Sequence, residues 1–166
     1  MNGSRVILAA AVGVVGVYGI VGMAQKSTSP VTGVWRVAEV TTTGQNARKV
    51  TAPQPGLYIF TSGHYAIETV NTDSARPDLP PPDKRTDKQI ADAFGPFTAN
   101  AGSYEVKGNE VTFKIEVAKN PATMRAGSFQ ISTFRLEGKN TLLLTTKANN
   151  DGPAQNPFTT KLTRIE

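Results

Sequence analysis

From Trp35 to Ile165 the chain is a succession of short segments in which apolar and polar residues alternate. The segment Glu110–Val117 alternates without a break: Val111, Phe113, Ile115 and Val117 share one parity, and polar residues take the other. A period of two is that of a β-strand, whose successive side chains point to opposite faces. Trp35–Thr43, Gly56–Thr61, His64–Val70, Gly102–Val106, Ser128–Leu136, Thr141–Thr146 and Phe158–Ile165 have a similar character, which predicts eight strands in all. Ser62-Gly63, Lys107-Gly108-Asn109 and Glu137-Gly138-Lys139-Asn140 join neighbours over hairpin lengths. Evenly spaced strands with local turns favour an up-and-down antiparallel barrel over a Greek-key sandwich, which needs long crossovers. Eight strands enclose an interior just wide enough for side chains or one small ligand.

Two stretches interrupt the pattern. Gln45–Pro55 holds two prolines among polar residues and is predicted to be a loop. Asn71–Arg85 carries Pro77, Pro80, Pro81 and Pro82 and cannot pair as a central strand. Thr86-Asp87 then offers a helix cap. Lys88–Phe94 places Ile90, Ala91 and Phe94 on one face at helical spacing, and Gly95-Pro96 ends the turn. One short helix is therefore expected, closing one mouth of the fold.

The first residues have a different character. Met1–Arg5 has one basic residue and no acid, Val6–Met23 is apolar or small, and Gly22-Met23-Ala24 ends in small residues. A basic start, an apolar middle and a small-residue end describe a secretory signal. We expect residues 1–24 to be a signal peptide cleaved after Ala24, residues 25–31 a short tether and residues 32–166 one domain. An uncleaved membrane anchor is the alternative, because about 18 apolar residues suffice to enter a bilayer. Both versions place the globular part outside the cytoplasm, periplasmic or secreted.

The chain has no cysteine, so no disulfide supports the fold and its core must hold it. A domain of about 140 residues buries enough apolar surface to do so. The net charge of +5 is spread along the sequence rather than clustered between aromatics, which argues against a nucleic-acid partner. Membrane contact is expected only through the N-terminal segment, if it is uncleaved.

The lone tryptophan lies in Gly33-Val34-Trp35, at the start of the first strand. A large rigid side chain of this kind seals one end of a fold, and a glycine two residues ahead lets backbone approach beneath it. Gly33-Val34-Trp35-Arg36-Val37, Pro55–Tyr65, Phe94–Val106, Asn120-Pro121, Phe134-Arg135-Leu136 and Leu142-Leu143-Leu144 together resemble the bacterial and fungal lipocalin-like domain family. The resemblance runs from Thr32 to Glu166 and departs from the family at the Pro-rich Ala75–Asp83 insertion. It implies an all-β, eight-stranded up-and-down antiparallel lipocalin-like barrel with one short helix. It also implies that a late-strand arginine, here Arg164, covers Trp35 in a structural role.

Chemical signatures are sparse. His64 is the only histidine, so no multi-histidine metal site can form, and no metal or cofactor is expected. No Gly-x-Ser-x-Gly elbow or phosphate-binding glycine loop is present, and no catalytic residue is assigned. Asp73 with Asp78, or Glu105 with Glu110, occupies solvated loop or outward strand positions rather than acid–base positions. The strand interior carries more information. Tyr58, Phe60, Tyr65, Tyr104, Phe113 and Phe129 fall on candidate inward faces and are expected to line a small apolar cavity, with tyrosine hydroxyls to orient a ligand. Arg135 shares the parity of Phe129 and Ile131 and is a candidate anchor for a carboxylate, although Phe134 and Leu136 compete for the inward direction. The expected function is binding of a small apolar or amphipathic molecule. The alternatives are a barrel-cavity isomerase or cyclase, or a filled barrel with a structural or envelope-interaction role.

Overall fold

The computed structural model describes residues 29–166; the signal-peptide cleavage site and most of the tether lie outside the described residues. The strands are β1 (Gly33–Thr42), β2 (Arg48–Val50), β3 (Gly56–Phe60), β4 (His64–Val70), β5 (Phe97–Lys107), β6 (Glu110–Ala118), β7 (Phe129–Glu137), β8 (Thr141–Asn149), β9 (Gly152–Pro153) and β10 (Phe158–Arg164). Each long strand pairs antiparallel with its sequence neighbour, and β10 pairs with both β1 and β8. The sheet therefore closes into a barrel of eight long strands. Strands β2 and β9 are short additions, paired to β1 and β8.

Turns alternate between two ends. One end holds the start of β1, the β3–β4, β5–β6 and β7–β8 turns and the end of β10, and it is sealed. Trp35 and Val31 are fully buried there, with Phe60, Val111, Leu142 and Leu162 packed above them. The Trp35 indole Nε1 donates to the Val31 carbonyl at 2.8 Å. The Arg164 guanidinium lies 3.9 Å from the centre of a Trp35 ring, close enough for a cation–π contact. Its Nη1 also donates to the Thr32 carbonyl and its Nε to the Lys139 carbonyl, each at 2.8 Å. Gly33 makes room for this arrangement. Its φ is +138°, and a Cβ there would overlap the Arg164 guanidinium.

Irregular pairing shapes the rest. Strand β1 shifts register between Val37 and Glu39, so Trp35 and Val37 face inward below the bulge and Val40 faces inward above it. Strand β6 carries an extra residue, Glu116, opposite the step from Ala101 to Gly102. A Cβ on Gly102 would overlap the Lys114 carbonyl, so the bulge needs glycine at that point. Beyond it the parity of β6 reverses. Val117, expected inward from unbroken alternation, is exposed.

Three other expectations are corrected. The stretch predicted as a loop at Gln45–Pro55 contains β2, held by the upper half of β1. Strand β5 begins at Phe97 rather than Gly102, because Val70–His64 of β4 supplies a full partner along that length. The helix, α1 (Asp87–Phe94), forms with Thr86 as N-cap and Gln89 completing a capping box. It does not close the mouth: Ile90 and Phe94 face solvent, and no α1 residue lines the interior.

Candidate functional site

The closed end is filled and the other end is open. The dividing layer is aromatic. Phe60 meets Tyr104 edge-to-face at 5.4 Å, and Tyr65 meets Phe113 the same way at 4.8 Å. Above this layer the barrel holds a cavity of about 340 Å³. Tyr58, Tyr65, Ile67, Phe113 and Ile115 form its floor and lower wall, and Val37 and Val40 of β1 add to the apolar surface. Gln130 and Thr160 add polar groups beside Phe113 and Tyr58, and nearer the opening Thr42, Arg48, Gln54, Asn71, Thr72 and Thr98 alternate with apolar Val50, Pro53, Val70 and Phe158.

The opening has its shape because β1 changes partner. Its first four residues pair with β3, and Val40–Thr42 pair with β2 instead. The wall between the upper halves of β1 and β3 is therefore made by β2 and the segment after it, which bring Arg48, Val50, Pro53 and Gln54 to the cavity.

Two tyrosines dominate the floor. Tyr58 pairs with Ile67 across β3 and β4, and Phe60 with Tyr65, so one face carries all four side chains. Burial raises the Tyr58 hydroxyl above its ordinary acidity range, and a hydrogen bond with Thr160 offsets part of that rise. Burial, reinforced by the negative charge of Glu116, pushes Tyr65 up to about 12. The Tyr65 hydroxyl is buried without a hydrogen-bond partner, which is costly for a polar group.

Of the residues expected to line a cavity, the fold brings Tyr58, Tyr65 and Phe113 together there. Phe60 and Tyr104 belong to the packed layer beneath, where the Tyr104 hydroxyl donates to the Thr61 carbonyl at 2.7 Å and ties down the β3–β4 turn. Phe129 and Arg135 are corrections. Strand β7 turns Gln130, Ser132, Phe134 and Leu136 toward the interior, so Phe129 and Arg135 fall on the outer face. Phe134 and Leu136 pair across to Leu144 and Leu142 and pack on the core, which decides the direction. Arg135 is mostly solvent-exposed and pairs with Glu137 at 2.8 Å. The cavity residues that the sequence left unassigned are chiefly Arg48, Asn100, Gln130 and Thr160. Among the described residues, no group of three or more histidine, aspartate or glutamate side chains is placed to hold a metal ion.

Solved structures match the chain at low similarity. A lipocalin-like protein from Bacteroides uniformis is 12% identical, with a TM-score of 0.45 over 82% of this chain and 100% of that one. An uncharacterized protein from Bacteroides eggerthii is 12% identical, with a TM-score of 0.42 over 81% and 98%. A redesigned β-barrel is 14% identical, with a TM-score of 0.41 over 82% and 93%. No curated protein matches the chain. Residues 32–164, from the base beside Trp35 to the arginine that covers it, match the lipocalin-like domain throughout, and the chain belongs to that family.

Proposed function

We propose that this domain is an exported binding protein that takes a small apolar or amphipathic molecule into its barrel. The observation that carries the proposal is the half-filled interior. The aromatic layer under Phe113 is packed, yet about 340 Å³ above it stays open to one end. Small-molecule sites have volumes of roughly 300–1,000 Å³, with apolar walls and a few placed polar groups. Asn100, Gln130 and Thr160 supply such groups.

Binding without chemistry is favoured over catalysis by the character of the lining. The cavity wall includes no carboxylate and no imidazole. Its two tyrosines are shifted away from neutrality, whereas a proton-transfer group works best with an acidity near the operating pH.

An environment-sensitive apolar dye should bind the folded domain at one site, with a Kd on the order of micromolar, or about −8 kcal/mol. Phe113→Trp should narrow the cavity and weaken that binding while leaving the fold intact. Failure of dyes and fatty acids to bind, with Phe113→Trp unfolding the protein by overpacking, would establish a filled structural barrel instead.

Export is the second part of the proposal, supported by Met1–Arg5, the apolar run Val6–Met23 and the small residues before Gln25. N-terminal sequencing of protein recovered from the periplasm or medium should begin at Gln25. An intact Met1 on membrane-embedded protein would show an anchor.

A further inference from the structure

We infer that the ligand carries a carboxylate head group on an apolar body, and that Arg48 at the cavity mouth receives it. This rests on the cavity-binding proposal and narrows its ligand class. Among the described residues, Arg48 is the one charged side chain lining the cavity. It sits on β2, at the rim, opposite the apolar floor of Tyr58, Tyr65 and Phe113. The one charge of the lining thus lies at the mouth, and it orients an amphipathic molecule with its chain toward the floor and its charged end at the rim. A guanidinium presents paired N–H donors with the spacing of carboxylate oxygens.

Arg48 already has a carboxylate partner. Its Nη2 lies 2.9 Å from Oδ2 of Asp73, in the loop after β4. Both side chains are more than half exposed, and an exposed pair of this kind contributes little to stability. A ligand carboxylate therefore displaces Asp73 at small cost. The pair also holds Arg48 at the rim while the cavity is empty, tying β2 to the β4–β5 connection. A single guanidinium neutralises a single carboxylate charge. A phosphate monoester, with nearly two negative charges, would be left undercompensated beside Asp73.

The test compares dodecanoic acid with 1-dodecanol, which share a chain and differ in the head group, by calorimetric titration at neutral pH. The acid should bind the native protein a few-fold more tightly than the alcohol, in line with an exposed ion pair. Arg48→Gln should abolish that preference, weakening the acid more than the alcohol. Asp73→Asn should tighten the acid several-fold, because the internal competitor is gone. Equal affinities in the native protein, or an Arg48→Gln effect shared equally by both probes, would overturn the assignment while leaving cavity binding intact. Binding of neither probe to any of the three proteins would overturn the cavity reading itself.

Discussion

Trp35→Ala is expected to destabilise the domain by about 3–5 kcal/mol, the range for a large aromatic lost from a core. The figure should fall in this range because the site cannot collapse. Trp35 is fully buried, and the groups around it are held by other bonds. Arg164 stays fixed by the Thr32 and Lys139 carbonyls, so its guanidinium would lie over a void rather than a ring. The Val31 carbonyl would lose its indole donor as well. Chemical denaturation should show a large drop in midpoint with an unchanged slope. A loss below about 1 kcal/mol would mean that the base repacks freely, contrary to the usual cost of large-to-small core substitutions.

The second large effect should appear in alkali. Folded Tyr65 keeps its proton until the pH nears 12, whereas an ordinary tyrosine releases it near 10. Between those values the unfolded state binds fewer protons than the folded one, so stability falls as pH rises. One such group contributes a slope of about 1.4 kcal/mol per pH unit, and so a loss of about 2–3 kcal/mol across the window. Tyr58, also raised by burial, acts in the same direction. Below the ordinary tyrosine range neither group contributes to the pH dependence. Denaturant midpoints measured from neutral to strongly alkaline pH should decline steeply in the native protein and less steeply in Tyr65→Phe. Identical declines would show that some other group carries the effect. Across the neutral range both hydroxyls remain uncharged donors, the form that suits an apolar cavity.

Much of the barrel was legible because strand alternation and turn chemistry are local. Glu110–Ile115 announces its inward face, and Thr86-Asp87 announces the helix start. The failures have a physical cause. In β7 both parities carry apolar residues, Phe129 and Ile131 on one and Phe134 and Leu136 on the other, and only pairing with Leu142 and Leu144 decides between them. Arg-Lys-Val at residues 48–50 has no periodicity to read, since β2 exists through its contact with β1. Arg48 went unassigned for that reason, while Arg135, in an evident strand, drew attention. Glu116 reverses the face of Val117 through a bulge that no local pattern displays.

The seam between β1 and β10 sets the order of assembly. Trp35 pairs with Arg164, and the Val34 amide donates to the Glu166 carbonyl, so the barrel closes through contacts between residues almost the whole domain apart. Such long-range pairing is slow to form, because the loop entropy is lost before the contact repays it. During synthesis β1 must wait, one edge unpaired, until the last strand has emerged. An unpaired edge is a template for other strands, including those of neighbouring chains. The same residues that seal the finished barrel thus leave the growing chain most exposed to misassembly. Under the export proposed above, late closure is an advantage: until the last strand has emerged the barrel cannot seal, and the chain stays threadable.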